Sequence, residues 1–171
     1  MKKVIRSRNR GRRDYTNAAV GRESRGRGMQ AVQSFIQSHE RPVHAVSPNQ
    51  TVWETLEVMA RHNIGAVLVV DESKMVGIFS ERDYARRVEL KGLETKATRI
   101  AEVMTSKFIS ISPSTKMDDC MQIMTEHRVR HLPVIDENNE ILGLVSIGDV
   151  VSEMISAQRE LISQLKQYIA G

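Results

Sequence analysis

One stretch of this chain occurs twice. Residues 62–83 read HNIGAVLVVDESKMVGIFSERD, and residues 127–149 read HRVRHLPVIDENNEILGLVSIGD. Laid side by side, His62 matches His127, Val69 matches Val134, and Asp71-Glu72 matches Asp136-Glu137. Further on, Gly77 matches Gly143, Ser80 matches Ser146, and Asp83 matches Asp149. The offset is 65 residues before the acidic turn and 66 after it, so the second turn carries one extra residue. The match reaches back to Ser47-Pro48 against Ser112-Pro113 and to Met59 against Met124. Order kept at a fixed offset is an internal duplication. Two copies are too few for a solenoid. A unit of about 65 residues is marginal as an independent fold, so two small units sharing one core are expected, each needing the other.

Each copy reads as strand, helix, strand, strand, helix. In the first, residues 43–46 suit a short strand. Thr51 and Glu54 form a T-x-x-E capping box. The helix behind it puts Val52, Leu56, Met59 and Ala60 on one face and ends near His62-Asn63. Residues 64–70 are a near-continuous apolar run, which suits a strand covered on both faces. Ser80 to Asp83 opens a helix running towards Leu90. In the second copy, residues 108–111 suit a strand. Residues 116–127 suit a helix with Met117, Cys120, Met121 and Met124 inward. Strands at 129–135 and 141–145 flank the polar turn at 136–139.

Ahead of the first copy, Met29, Val32, Phe35 and Ile36 fall at helical spacing, and Pro42 ends that helix. Polar residues 91–98 with Gly92 mark the boundary between halves. Ile100, Val103 and Met104 then make a short amphipathic helix. A last helix is expected from Ile147 to about Tyr168, roughly 30 Å long. Its apolar positions are Val150, Val151, Met154, Ile155, Leu161, Ile162, Leu165 and Ile169. That is longer than one unit needs, so the extra turns are expected to pack on a partner chain or across the module. Strands alternating with helices argue for an α/β (α+β) unit with a mixed sheet.

Charge divides the chain. The 171 residues carry a net +4, but residues 1–28 hold ten Lys/Arg against two acids, which leaves −4 for the rest. The globular part therefore shows no cationic face of the kind nucleic-acid binding requires. Residues 1–28 are rich in Arg, Gly and Ser and are expected to form a disordered tail, because they cannot bury enough surface to offset chain entropy. A contact with RNA or another polyanion, a mitochondrial transit peptide, an anionic-membrane contact (for which an apolar helical face is lacking) and a plain solvated tail all remain open for it. No run approaches the roughly 18 apolar residues of a membrane span. The single cysteine, Cys120, excludes an intramolecular disulfide and a cysteine-rich metal site. A cytoplasmic location is expected, with the mitochondrion as the alternative if the tail is a transit peptide.

The segments GIFSERD (77–83), GLVSIGD (143–149) and RHLPVID (130–136) are close to the signature of the cystathionine-β-synthase (CBS) domain family, which this chain resembles over residues 29–171. It is most similar to stand-alone tandem-CBS proteins of bacteria and plant organelles, which carry no catalytic or transporter domain. The resemblance implies a tandem CBS pair (Bateman module), two β-α-β-β-α repeats about a pseudo-twofold axis. It would comprise a basic tail at 1–28, a first repeat at 29–95, and a second at 96–171 with the long C-terminal helix. It also implies two clefts between the repeats that bind adenosyl ligands, AMP, ADP, ATP, NAD or S-adenosylmethionine, and a homodimer.

The ligand-binding residues implied are Ile64, Gly65, Ala66, Ser80, Arg82 and Asp83 in the first copy. In the second they are Val129, Arg130, His131, Ser146 and Asp149. An aspartate suits a ribose, because its two oxygens accept hydrogen bonds from both ring hydroxyls. Asp83 and Asp149 would also serve as plain helix-start acids. Ser80 and Ser146 would serve as N-caps, and in the family this hydroxyl contacts ribose or phosphate. Arg130 and His131 sit in an otherwise apolar run. A buried arginine needs a partner, either a phosphate or a carboxylate such as Asp149 or Glu137. Gly65-Ala66 stands at these positions in the first copy, with room for a base, and Arg82 is the compensating cation there. The two sites are therefore not expected to be equivalent.

His62 and His127 read as helix C-terminal residues meeting the dipole, and no metal-ligand spacing is present. No nucleophile–base–acid set or phosphate-binding glycine loop stands out. The expectation is a non-catalytic adenine-nucleotide sensor in signal transduction, homodimeric, read by an unknown regulated protein. The alternatives are an RNA- or DNA-associated protein using residues 1–28, and a nucleotide hydrolase.

Overall fold

The computed structural model describes residues 29–39 and 41–170. The expected basic tail lies outside them. The elements run α1 (Val32–Ser38), β1 (Ala45–Val46), α2 (Val52–His62), β2 (Ala66–Asp71), β3 (Lys74–Ser80) and α3 (Glu81–Asp83). A π-helical turn (Tyr84–Val88) and a 3-10 turn (Glu89–Lys91) continue α3. There follow α4 (Ile100–Val103), α5 (Met117–His127), β4 (His131–Ile135), β5 (Ile141–Ser146) and α6 (Ile147–Ala170). They divide into two compact units, one of residues 42–108 and one of residues 29–41 and 109–170.

In the first unit the sheet order is β1-β2-β3, with β1 parallel to β2 and β2 antiparallel to β3, a mixed sheet as expected. Glu72 and Ser73 make the hairpin turn with φ of 44° and 74°. The capping box at α2 forms: Glu54 N donates to Thr51 Oγ1 at 3.2 Å, and Thr51 N donates to Glu54 Oε2 at 2.7 Å. Such a cap contributes about 1 kcal/mol. Val46, Val52, Met59, Val67, Val69, Phe79, Val88, Ile100 and Val103 fill the interior.

In the second unit β4 and β5 pair antiparallel, and Ile111 makes a single parallel bridge to Val134. The duplication is visible in the register. Gly77 faces Val69 and Gly143 faces Val134, and each hairpin is irregular immediately after that pair. Here the interior is Val32, Phe35, Ile111, Met117, Cys120, Ile123, Met124, Leu132, Val134, Val145 and Val150. The described interior residues form one apolar cluster in each unit.

Packing cuts the chain differently from the repeat. Val32 and Phe35 of α1 are buried in the second unit, while Ile100 and Val103 of α4 are buried in the first. The two arrangements are copies of each other. Val32 N donates to Thr115 O at 2.8 Å and Gln33 N to Pro113 O at 2.9 Å. Ile100 N donates to Gln50 O at 2.9 Å and Ala101 N to Pro48 O at 3.0 Å. A helix as short as α1 does not hold its shape alone. The burial of Val32 and Phe35, each contributing about 1.5–3 kcal/mol, keeps it in place. These segments also explain two repeat glycines. A Cβ at Gly143 would lie 2.7 Å from Ile36 Cδ1, and one at Gly77 would lie 2.7 Å from Met104 Sδ and 3.1 Å from Thr105 O.

Several expected elements are shorter. The strand expected from Val129 begins at His131, and the one expected from Ile64 begins at Ala66. In both cases the preceding helix ends on a left-handed residue, Arg128 or Asn63, and the next residues carry its capping turn. The strand expected at 108–111 is reduced to the Ile111 bridge. The polar residues 91–98 are not a loose linker: Thr98 O accepts Val52 N at 2.9 Å and Thr95 O accepts Trp53 N at 3.0 Å, closing the head of α2. In α6 the expected stripe splits. Val150 is buried and Met154 packs against the core, whereas Val151, Ile155, Leu161, Ile162, Leu165, Tyr168 and Ile169 are exposed.

Candidate ligand-binding site

Each hairpin delivers its second strand directly into a helix, and the junction is built twice in the same way. Ser80 ends β3 as the N-cap of α3. Its Oγ donates to Asp83 Oδ2 at 2.6 Å and its N to the same oxygen at 3.0 Å, while Asp83 N donates back to Ser80 Oγ at 3.3 Å. At the head of α6, Ser146 Oγ donates to Asp149 Oδ2 at 2.6 Å and Ser146 N at 2.8 Å, with Asp149 N returning to Ser146 Oγ at 3.3 Å. Serine and aspartate satisfy helix-terminal donors that have no helical partner. Both aspartates therefore do serve as helix-start acids. In each, Oδ2 is taken by the cap and Oδ1 points elsewhere.

The two Oδ1 atoms differ in what they meet. Asp83 Oδ1 accepts Thr105 Oγ1 at 3.0 Å and lies 3.5 Å from Arg87 Nε. Arg87 is itself anchored, its Nη1 donating to Val103 O at 3.2 Å and Met104 O at 2.6 Å. Asp149 Oδ1 meets Arg41 Nη1 at 2.6 Å, with side chains 10% and 66% exposed respectively. Residue types and spacing singled out both aspartates but none of these three partners. The signal for Arg87 was present, one helical turn after Asp83. Thr105 and Arg41 are brought in by packing alone.

The strand starts lie beside these caps. Ala66 is opposite Ser80 and His131 is opposite Ser146 in the ladders. Glu81 N donates to Gly65 O at 3.1 Å, and Ile147 N donates to Arg130 O at 2.9 Å. Gly65, Ala66, Ser80 and Asp83 thus gather in the first unit, and Arg130, His131, Ser146 and Asp149 in the second. Ile64 and Val129 are half-buried on the turns that lead in, and Arg82 is exposed. Arg130 needs correction. It stands on a bend before β4, exposed, so burial does not demand a partner for it. Of the two carboxylates offered for it, Asp149 is paired with Arg41.

The remaining candidates carry structure. Burial, with Asp119 and Asp118 nearby, pushes the Cys120 thiol up to about 12, so it stays protonated among its apolar neighbours. His62 ends α2 and stacks on His44 with ring centroids 3.9 Å apart. Desolvation, with His62 as a second cause, lowers the pKa of His44. Among the described residues, no cluster of three or more His, Cys, Asp or Glu is placed to hold a metal ion, and no helix is long and apolar enough to cross a membrane.

The family model of the CBS domain matches residues 36–90 and again 100–156. Over 128 residues the chain is 39% identical to the CBS domain-containing protein CBSX3, mitochondrial, of Arabidopsis thaliana, covering 72% of this chain and 62% of that protein's length. It is 37% identical to the CBS domain-containing protein YhcV of Bacillus subtilis over 114 residues, covering 67% of this chain and 80% of that one. A solved structure of a protein with CBS domains from Burkholderia ambifaria superimposes with a TM-score of 0.72 at 43% identity, covering 75% of this chain and 96% of the other. Two more distant structures share the fold and hold ligands. A CBS domain protein of Pyrobaculum aerophilum is complexed with AMP, at TM-score 0.63 and 21% identity, covering 70% of this chain and 89% of that one. A CBS domain pair is in complex with 5′-methylthioadenosine and S-adenosyl-L-methionine, at TM-score 0.65 and 23% identity, covering 76% of this chain and 98% of that one.

Proposed function

The chain belongs to the CBS domain family, as a tandem pair, and we propose that it is a non-catalytic regulatory protein that senses an adenosyl ligand such as AMP, ATP, NAD or S-adenosylmethionine. The observation that carries this reading is the twice-built Ser–Asp junction, in which one carboxylate oxygen holds the helix cap and the other meets a second side chain. A cap needs only the first oxygen. The second, held only by a neighbouring side chain, suits a ribose hydroxyl that takes that side chain's place. Fold neighbours that hold AMP or S-adenosyl-L-methionine support the choice of ligand class.

In this reading Asp83 and Asp149 receive ribose hydroxyls, with Ser80 and Ser146 beside them. The turns at 64–66 and 129–131 border the base and phosphate, where Arg130 and His131 offer positive charge and Arg82 does so in the first unit. The signal leaves through a change in a surface that a partner protein reads, because a ligand acts only by its differential affinity for two states. The protein works as a homodimer joined by the exposed face of α6. The compartment proposed is the cytoplasm. The mitochondrion is the alternative, which the name of the Arabidopsis relative favours.

Calorimetric titration of the purified full chain with AMP, ATP, NAD and S-adenosylmethionine tests the function. At least one is expected to bind and to be recovered unchanged after prolonged incubation. Failure of all four would remove the sensor reading, and turnover of a bound nucleotide would make the protein an enzyme.

A further inference from the structure

We propose that Arg41 is a specificity-determining residue of the Asp149 site, a built-in competitor for the ribose that penalises ligands bringing no anion of their own. The inference rests on the adenosyl-site reading. Asp149 Oδ2 is committed to the helix cap, so Oδ1 is the oxygen left for a ligand, and the Arg41 guanidinium sits on it at 2.6 Å. The N–H donor stands where a ribose hydroxyl would have to donate. A ligand reaches this carboxylate by displacing Arg41.

The other copy is built differently. At Asp83 the neutral Thr105 hydroxyl meets Oδ1, and the nearby cation, Arg87, is held by the carbonyls of Val103 and Met104. At the position matching Arg87 the second copy has Glu153, whose Oε2 accepts Gln30 Nε2 at 2.5 Å. Two carboxylates one helical turn apart repel, and Arg41 offsets that repulsion from outside the helix. Its 66% exposed side chain comes from the connection between α1 and β1 and can leave without breaking the core.

Displacement has unequal consequences for two ligand classes. A neutral riboside takes Oδ1 and leaves the guanidinium with water alone. A nucleotide takes Oδ1 and supplies a phosphate, which a planar guanidinium binds through two N–H groups. The competition therefore falls on nucleosides and spares nucleotides.

The test is calorimetric titration of adenosine and AMP into wild type, Arg41→Gln, Asp149→Asn and the double variant, at low and moderate salt. In Arg41→Gln, adenosine is expected to bind about fivefold tighter, the scale of one partly exposed ion pair, while AMP shows no such gain. In wild type, adenosine should bind more tightly as salt screens the pair, a trend absent from Arg41→Gln. The gain should vanish in the Asp149→Asn background, which ties it to this carboxylate. Unchanged or weaker adenosine binding in Arg41→Gln overturns the proposal, and so does an equal gain for AMP. If neither ligand binds wild type, this inference falls, whereas the adenosyl-site reading falls only if ATP, NAD and S-adenosylmethionine fail as well.

Discussion

Replacing Ile162 and Leu165 together with glutamate is expected to turn a dimer into a monomer. Along α6, Val151, Ile155, Gln158, Ile162, Leu165 and Ile169 recur at alternating spacings of four and three residues. That is the spacing of a helix seam that packs against another helix. Isoleucine holds one position of the seam three times, and Val151, Gln158 and Leu165 hold the other. The apolar seam residues are between 41% and 82% exposed in the protomer. The family match ends at residue 156, so the outer turns carry apolar side chains that the repeat itself does not use. In the proposed homodimer a second copy supplies the same seam, and a twofold contact presents each substituted position twice. Each large apolar side chain buried there contributes about 1.5–3 kcal/mol, so losing four is worth a thousandfold or more in Kd. Light scattering at tens of micromolar, roughly where a modest interface saturates, should give twice the protomer mass for wild type and the protomer mass for the variant. A monomeric wild type, or a variant dimer of unchanged affinity, would disprove the seam.

The second large effect is on ligand chemistry. Asp149→Ala should weaken AMP and adenosine alike, because both carry the ribose. Each lost charge-assisted bond costs about 1.5–3 kcal/mol, or roughly ten- to a hundredfold in affinity. Asp83→Ala should act in the same way on the first unit. Both variants also remove a helix cap, at a cost of about 1 kcal/mol, so titrations belong well below the melting temperature. Arg130→Ala should weaken AMP much more than adenosine, because only AMP carries a phosphate. Arg130 is exposed, so its removal leaves no buried group unpaired, and any loss reports the ligand. Equal losses for the two ligands in Arg130→Ala would remove the phosphate assignment. Binding unchanged in both aspartate variants would sink the nucleotide site altogether.

The hairpins and the two Ser–Asp caps were legible in the sequence, for a physical reason. A hairpin followed by a helix N-terminus makes strong local demands, for alternating strands, a polar turn, a hydroxyl at the cap and a carboxylate three residues on. Seeing those demands met twice located Ser80, Asp83, Ser146 and Asp149. The capping box at Thr51 and Glu54 was legible in the same way. What stayed hidden is non-local. The apolar spacing of Val32 and Phe35 shows that α1 buries a face, but not which core receives it. Arg41 and Asp149 are 108 residues apart, and no local pattern joins them. Strand ends were misplaced at Ile64 and Val129 because the left-handed caps at Asn63 and Arg128 draw the following residues into a turn.

The placement of α1 also sets a timetable for folding. Among the described residues the first unit is contiguous, residues 42–108, whereas the second is assembled from two pieces on either side of it. In effect one unit is inserted in the other. A contiguous unit closes through contacts of short sequence separation and can be complete before the rest of the chain has been made. The split unit must bring Val32 and Phe35 across an insert of nearly 70 residues, which adds loop-closure entropy and slows its closure. Pulse-labelled hydrogen exchange during refolding should therefore protect β2 and β3 ahead of β4 and β5. Simultaneous protection would mean that the two units fold only as a pair.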